Sequence, residues 1–279
     1  MGGGGGGVDG PAPFSSIGKQ AKDLLMKGYN FEKKFLYLVR GSSGMMGHTT
    51  SCAMIDGTFV GHLNARYKRG CTTLVMNVDT NFNISPQLIV DGIFPTTRTA
   101  LKFTIPGNKL HVQYRHNIAT INSSLILNSD PVLKFSAGFG INDIAYGGKF
   151  CFDTSSMTKW NVGIGIRRPN SLVSFIMEDN GEGNTLRASY IGHVEGIQVA
   201  AEMIHRFSEL KNSFEIGCSH TLDPYSKVKT KFAYDGKVSM FYERGLKKRG
   251  KRVTISAQYD FMDLKGVLPK LGISFSMKS

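Results

Sequence analysis

The sequence predicts an all-β barrel that crosses a membrane, with one amphipathic helix ahead of it. Three observations carry this prediction. From about Phe31 onward, apolar and polar residues alternate with period two. The polar faces of these runs are built from Gly, Ser, Thr and Asn as well as Lys and Arg, and they recur in nearly every segment. No uncharged apolar run of about eighteen residues occurs, so no transmembrane helix is expected. A membrane barrel contains no such run either.

The first thirteen residues, "MGGGGGGVDGPAP", read as a flexible low-complexity tail. They lack the basic and apolar regions of a secretory signal. Gly2 invites a myristoylation reading, but position 6 is Gly where Ser or Thr is wanted. Residues 14–29 then read as a short helix. Ser15 or Ser16 is the expected N-cap, and Ile17, Ala21, Leu24 and Leu25 form one apolar stripe. Lys19, Gln20, Lys22, Asp23 and Lys27 cover much of the rest, and Gly28 stands where a C-terminal or hinge glycine belongs.

Residues 31–279 carry the strands. "KFSAGFGI" sets Phe135, Ala137, Phe139 and Ile141 against Lys134, Ser136, Gly138 and Gly140. "WNVGIGIR" sets Trp160, Val162, Ile164 and Ile166 against Asn161, Gly163, Gly165 and Arg167. "VKTKFAY" sets Val228, Thr230, Phe232 and Tyr234 against Lys227, Lys229 and Lys231, and "RVTISAQYDF" alternates in the same way. Turn signals such as "DPYS", "YDG" and "EDNGEGN" separate the runs. At roughly a dozen residues per strand and turn, the segment holds about twenty strands, enough to enclose an open lumen.

A soluble sandwich also alternates, with its apolar face inward. Large apolar residues here continue to the last run, "KLGISFSMKS", and aromatics (Tyr114, Trp160, Tyr190, Tyr242, Tyr259) are expected near strand ends. Lipid outside and water inside gives that pattern. The apolar fraction, 41%, is slightly low for a conventional core of this size. The net charge of +13 suggests an anionic partner, which charge alone does not identify.

Catalysis finds no support. Gly163-x-Gly165 and Gly138-x-Gly140 lack the third glycine of a dinucleotide loop. His111 and His116 fall on opposite faces of an extended strand and cannot share a metal. Cys52, Cys71, Cys151 and Cys218 form no C-x-x-C pair, so neither zinc nor a thioredoxin-type site is indicated. No enzyme, cofactor or metal is expected.

The stretch "HTLDPYSKVKTKFAYDGKVSMFY", with "SSIGKQAKDLLMKGY", "VQYRHNIATINSSL" and "IMEDNGEGNTLRASY", resembles the mitochondrial voltage-dependent anion channels, the eukaryotic porins, and most of all their plant members. The likeness runs from about Phe14 to the end. It implies a barrel of nineteen strands, with the helix in the lumen and the first and last strands parallel, so that the final strand pairs with "KKFLYLVR". It implies a voltage-gated, weakly anion-selective diffusion pore of the mitochondrial outer membrane, passing nucleotides and phosphate. It also implies a gating role for the helix through Lys19, Lys22, Lys27 and Gly28. Gly272, Phe275 and Met277 match the sorting signal read by the outer-membrane barrel-assembly machinery. The other partners expected are membrane lipid and a second copy of the chain. Departures are Tyr234 in place of a small polar residue, Asn30 and Glu32 near Gly28, the long glycine tail and a shortened hairpin near residues 104–110; they suggest a divergent paralogue with altered gating.

Three lysines in a row facing lipid would cost roughly 2–4 kcal/mol each near the midplane, so Lys227, Lys229 and Lys231 should face water. With Arg115, Arg167 and Arg187 they would form a positive lumen wall that favours anions. Two alternatives remain at this point. A polypeptide-import barrel would be expected to carry an acidic lumen. A soluble nucleic-acid binder would interleave aromatics with bases. Here Phe232 and Lys231 take opposite faces, so no nucleic acid is expected.

Overall fold

The computed structural model describes residues 13–29, 31, 34–43, 45–55, 58–81, 83–91, 98–104, 109–127, 131–141, 143–153, 159–179, 181, 183–246, 251–262 and 269–278. The glycine-rich tail, Asn30, Glu32 and residues 105–108 lie outside them.

The N-terminal segment is not one continuous helix. A 3-10 turn, Phe14–Ser16, precedes α1, Lys19–Met26. Gly18 sits between them at φ +70°, a left-handed conformation that breaks the α-helical run. Gly18 is therefore the N-cap of α1, where Ser15 or Ser16 was expected. The Ser16 hydroxyl instead donates to the Pro13 carbonyl at 2.7 Å. At the other end the Lys27 N–H reaches the Asp23 carbonyl, and Gly28 follows at φ +101°.

Nineteen strands follow among the described residues. They are β1 (Lys34–Ser43), β2 (Met46–Ile55), β3 (Thr58–Arg69), β4 (Thr72–Asp79), β5 (Ile84–Asp91), β6 (Arg98–Thr104), β7 (Lys109–Arg115), β8 (Ala119–Ile126), β9 (Val132–Ile141), β10 (Ile144–Asp153), β11 (Lys159–Arg168), β12 (Ser171–Asp179), β13 (Asn184–Val194), β14 (Ile197–Arg206), β15 (Lys211–Asp223), β16 (Ser226–Ala233), β17 (Lys237–Gly245), β18 (Lys251–Asp260) and β19 (Lys270–Lys278). Each consecutive pair is antiparallel, as short hairpin turns require. Glu195 and Gly196, both at positive φ, make the two-residue turn between β13 and β14. The β15–β16 register shifts between Thr221 and Asp223. β1 also pairs with β19, in parallel, from Lys34↔Ser274 to Leu38↔Lys278. The final strand thus has neighbours on both sides.

The two faces of the sheet reverse the usual order of burial. Ser174 is 1% exposed, while its neighbour Phe175 is 45% exposed. Along β18, Ser256 is buried between exposed Ile255 and half-buried Ala257, and Tyr259 is exposed. Phe135, Phe139, Val162 and Ile164 are exposed on their own strands, and Leu271 and Ile273 are exposed on β19. Tyr114, Trp160 and Tyr259 lie one residue from a strand end, as expected of aromatics, whereas Tyr190 and Tyr242 sit in mid-strand.

The buried apolar cluster among the described residues lies between α1 and the sheet. It joins Ala21, Leu24 and Leu25 to Ile191 and Ala200, with Leu172 against them.

The parallel register is testable by cross-linking. With the four native cysteines replaced by serine, Phe35→Cys combined with Phe275→Cys should cross-link efficiently with a short bifunctional thiol reagent. Phe35→Cys with Leu271→Cys should not, since that pair is four residues out of register.

Candidate functional site

The candidate site is the face of the sheet that carries the helix. Alternation sends Gly163 and Gly165 of β11, Ser174 and Ile176 of β12, Ser189 and Ile191 of β13, and Ala200 and Glu202 of β14 to this face. On β15 to β17 the same face receives Glu215, Gly217, Lys229, Lys231, Ser239 and Phe241. Helix contacts fix the assignment. A Cβ on Gly163 would lie 3.3 Å from the Phe14 ring, and one on Gly165 would lie 3.5 Å from Ile17. A Cβ on Gly217 would lie 2.9 Å from Leu25 and 2.8 Å from the Thr230 carbonyl. Gly18 rests on Ser174 and Ser189, whose hydroxyls bond each other at 2.6 Å. These small residues form the seat of the helix. The glycines of "WNVGIGIR" therefore relieve crowding, here by making room for an apolar helix.

Lys19, Lys22 and Lys27 are exposed, Lys19 and Lys22 at the rim of a cavity against the wall. Beneath the N-terminal end of the helix lies a cavity of about 160 Å³, lined in part by Gly18, Lys22, Asn161, Glu178, Arg187 and Glu202. Arg187 pairs with Glu178 at 3.2 Å, and Asn161 donates to the other Glu178 oxygen at 3.0 Å. Glu202 is only 5% exposed. Arg187 is thus half-buried and paired with a carboxylate rather than presented alone to solvent.

At the C-terminal end of the helix, Lys229 Nζ donates to the Lys27 carbonyl at 3.0 Å and stands 5.5 Å above the Phe241 ring. Lys231 pairs with Glu215 at 3.5 Å and lies 5.8 Å from the Tyr29 ring centre. Tyr29 meets Phe241 edge-on, with ring centres 6.1 Å apart. Burial, then the nearby Cys218 and Glu215, push the Tyr29 hydroxyl above its ordinary pKa, so it remains neutral.

The structure places the predicted basic residues on one face but does not gather them into one cluster. Arg115 closes β7 with its Nε buried, and Arg167 is exposed near the end of β11. Lys227 lies across from Glu243, which Arg252 contacts at 3.4 Å. Gly272 is buried and Phe275 half-buried in β19, where Met277 faces Tyr37 of β1 in the register.

Sequence reading missed the carboxylates Glu178, Glu202 and Glu215 and the aromatic Phe241. Parity held the signal for Phe241: Lys237, Ser239, Phe241 and Glu243 share a face, so a large ring stands out among polar residues. It also missed that Lys134, Lys149 and His111 line one recess of about 400 Å³ beside Phe14 and Ser15.

Spoiling the fit between the helix and its seat should displace the helix. Leu25→Ala removes a fully buried side chain and is expected to weaken helix docking by about 2–4 kcal/mol. Gly217→Val should do the same by steric conflict. Faster amide hydrogen exchange in residues 19–26 would register both effects, with the strands unchanged in Leu25→Ala and β16 also disturbed near Thr230 in Gly217→Val.

A model of the eukaryotic porin family matches residues 10–272. The chain is 38% identical over 274 residues to mitochondrial outer membrane protein porin 4 of Arabidopsis thaliana, covering 96% of this chain and 98% of that one. It is 36% identical to mitochondrial outer membrane protein porin 6 of Oryza sativa subsp. japonica, covering 90% of this chain and 92% of the other. It is 32% identical to the outer plastidial membrane protein porin of Pisum sativum, covering 97% and 99%.

Proposed function

The chain belongs to the eukaryotic porin family, and from that premise we propose that it is a voltage-gated, weakly anion-selective diffusion pore of the mitochondrial outer membrane. The observation that carries this reading is the reversed burial: small polar side chains are enclosed and large apolar ones exposed on strand after strand. A sheet with that pattern is stable when lipid covers its apolar face and water its polar face. The sheet then spans the membrane as a closed nineteen-strand barrel, with α1 in the lumen.

The lumen passes solutes by diffusion. A net charge of +13 and basic residues of the helix-bearing face, Lys227, Arg115, Arg167 and Arg187 among them, favour phosphate and nucleotide anions over cations. Their paired carboxylates keep that preference weak. Lys19, Lys22 and Lys27 lie exposed on a docked helix, with Gly28 as its hinge. Moving each charge through the whole field is worth about 2.3 kcal/mol per 100 mV, enough for helix motion to respond to voltage. Gly272, Phe275 and Met277 on the last strand would be read by the assembly machinery, and the exposed apolar face would meet lipid or a second copy. A basic helix-bearing face does not suit an import pore for basic presequences.

The refolded chain in a planar bilayer under a salt gradient should give a large conductance that reverses on the anion side and steps down at both polarities. Lys227→Met should move the reversal potential toward the cation side by a few millivolts. A chain that inserts without conducting, or that prefers cations when fully open, would overturn the reading.

A further inference from the structure

The three lysines of β16 share a face but not an environment. Lys229 donates to the backbone carbonyl of Lys27, the extended C-cap residue just past the last turn of α1. The negative end of the helix dipole lies close by, which also favours an ammonium group there. Phe241, itself buried, lies under Gly28 and receives both the Lys229 ammonium and the Tyr29 ring. A Cβ at Gly28 would stand 3.3 Å from that ring, and its φ of +101° suits glycine alone. Lys231 is held by Glu215, reaches the Met26 sulfur at 3.9 Å and stands over Tyr29. Residues 26–29 are therefore gripped from two neighbouring strands, β16 and β17, with Glu215 of β15 steadying Lys231. The other end of the segment is held differently, by apolar contacts of Phe14 and Ile17 against the wall glycines.

We propose that Lys229, Lys231 and Phe241 form a latch whose ligand is the chain's own segment 26–29, and that this latch, rather than anion attraction, is the role of Lys229 and Lys231. Among the β16 lysines, Lys227 alone is left to act on permeant anions. Lys229 and Lys231 are positioning residues: they set where the helix rests and how readily it leaves. The consequence for conduction rests on the pore reading, whereas the latch itself does not.

The test separates the two. Lys229→Met keeps the side-chain length and removes the donor. In micelles it should speed amide exchange across residues 20–29 about tenfold, the loss expected for one charge-assisted hydrogen bond. Lys229→Arg should restore most of the protection, and Lys227→Met should leave exchange as in the wild type. If Lys229→Met fails to fold, Phe241→Leu tests the same latch from its apolar side. In bilayers, Lys229→Met should close at lower voltage with an unchanged reversal potential, and Lys227→Met should show the opposite split. Wild-type exchange in Lys229→Met or in Phe241→Leu would overturn the latch, as would equal loosening by Lys227→Met. Well-behaved exchange results in a chain that never conducts would support the latch and defeat the pore reading.

Discussion

An odd number of strands joined one after another by hairpins can bring its two ends together only in parallel. Here that requirement falls on five residue pairs, Lys34↔Ser274 to Leu38↔Lys278. Without them β1 and β19 would each present an open row of N–H and C=O groups, which lipid cannot satisfy. Every other feature follows once these groups are satisfied. The sheet then has two faces that differ throughout, and period-two alternation alone decides what each face meets. A slip of one residue at the closing ladder would send Leu271 and Ile273 to the polar face and Gly272 to the apolar one.

The polar face is not uniform. Where α1 docks, Leu172, Ile176, Ile191 and Ala200 interrupt the serines and glycines, so a small apolar patch lies on a face that is otherwise polar. The patch is matched in size to one short helix. Eight residues of isolated helix would be marginal in water. Packing of Leu24 and Leu25 on that patch, together with polar contacts at the C-terminal end, supplies the stability that the helix lacks by itself.

Much of this was legible in the sequence, and the rest was not for identifiable reasons. Strands β9, β11, β16 and β18 appear in the alternation of "KFSAGFGI", "WNVGIGIR", "VKTKFAY" and "RVTISAQYDF" to within a few residues at each end. The helix start was misread because Ser15 and Ser16 are good caps by type, while Gly18 prevails by taking a positive φ over the serine pair below it. The environment of Lys229 and Lys231 could not be read at all. It depends on a contact about two hundred residues away along the chain, between Lys229 and Lys27. The same holds for Arg187, whose partner Glu178 is brought close by the β12–β13 hairpin register. A charge counted toward an open basic wall is, in the fold, partly neutralised.

The most direct test is a site-directed nitroxide scan along β18, residues 253–259, in liposomes, comparing collision with oxygen and with a water-soluble nickel reagent. The inside-out barrel predicts period-two alternation. Labels at Val253, Ile255, Ala257 and Tyr259 should collide with oxygen, and labels at Thr254, Ser256 and Gln258 with nickel. An alternation of opposite phase, or nickel access at every position, would contradict it.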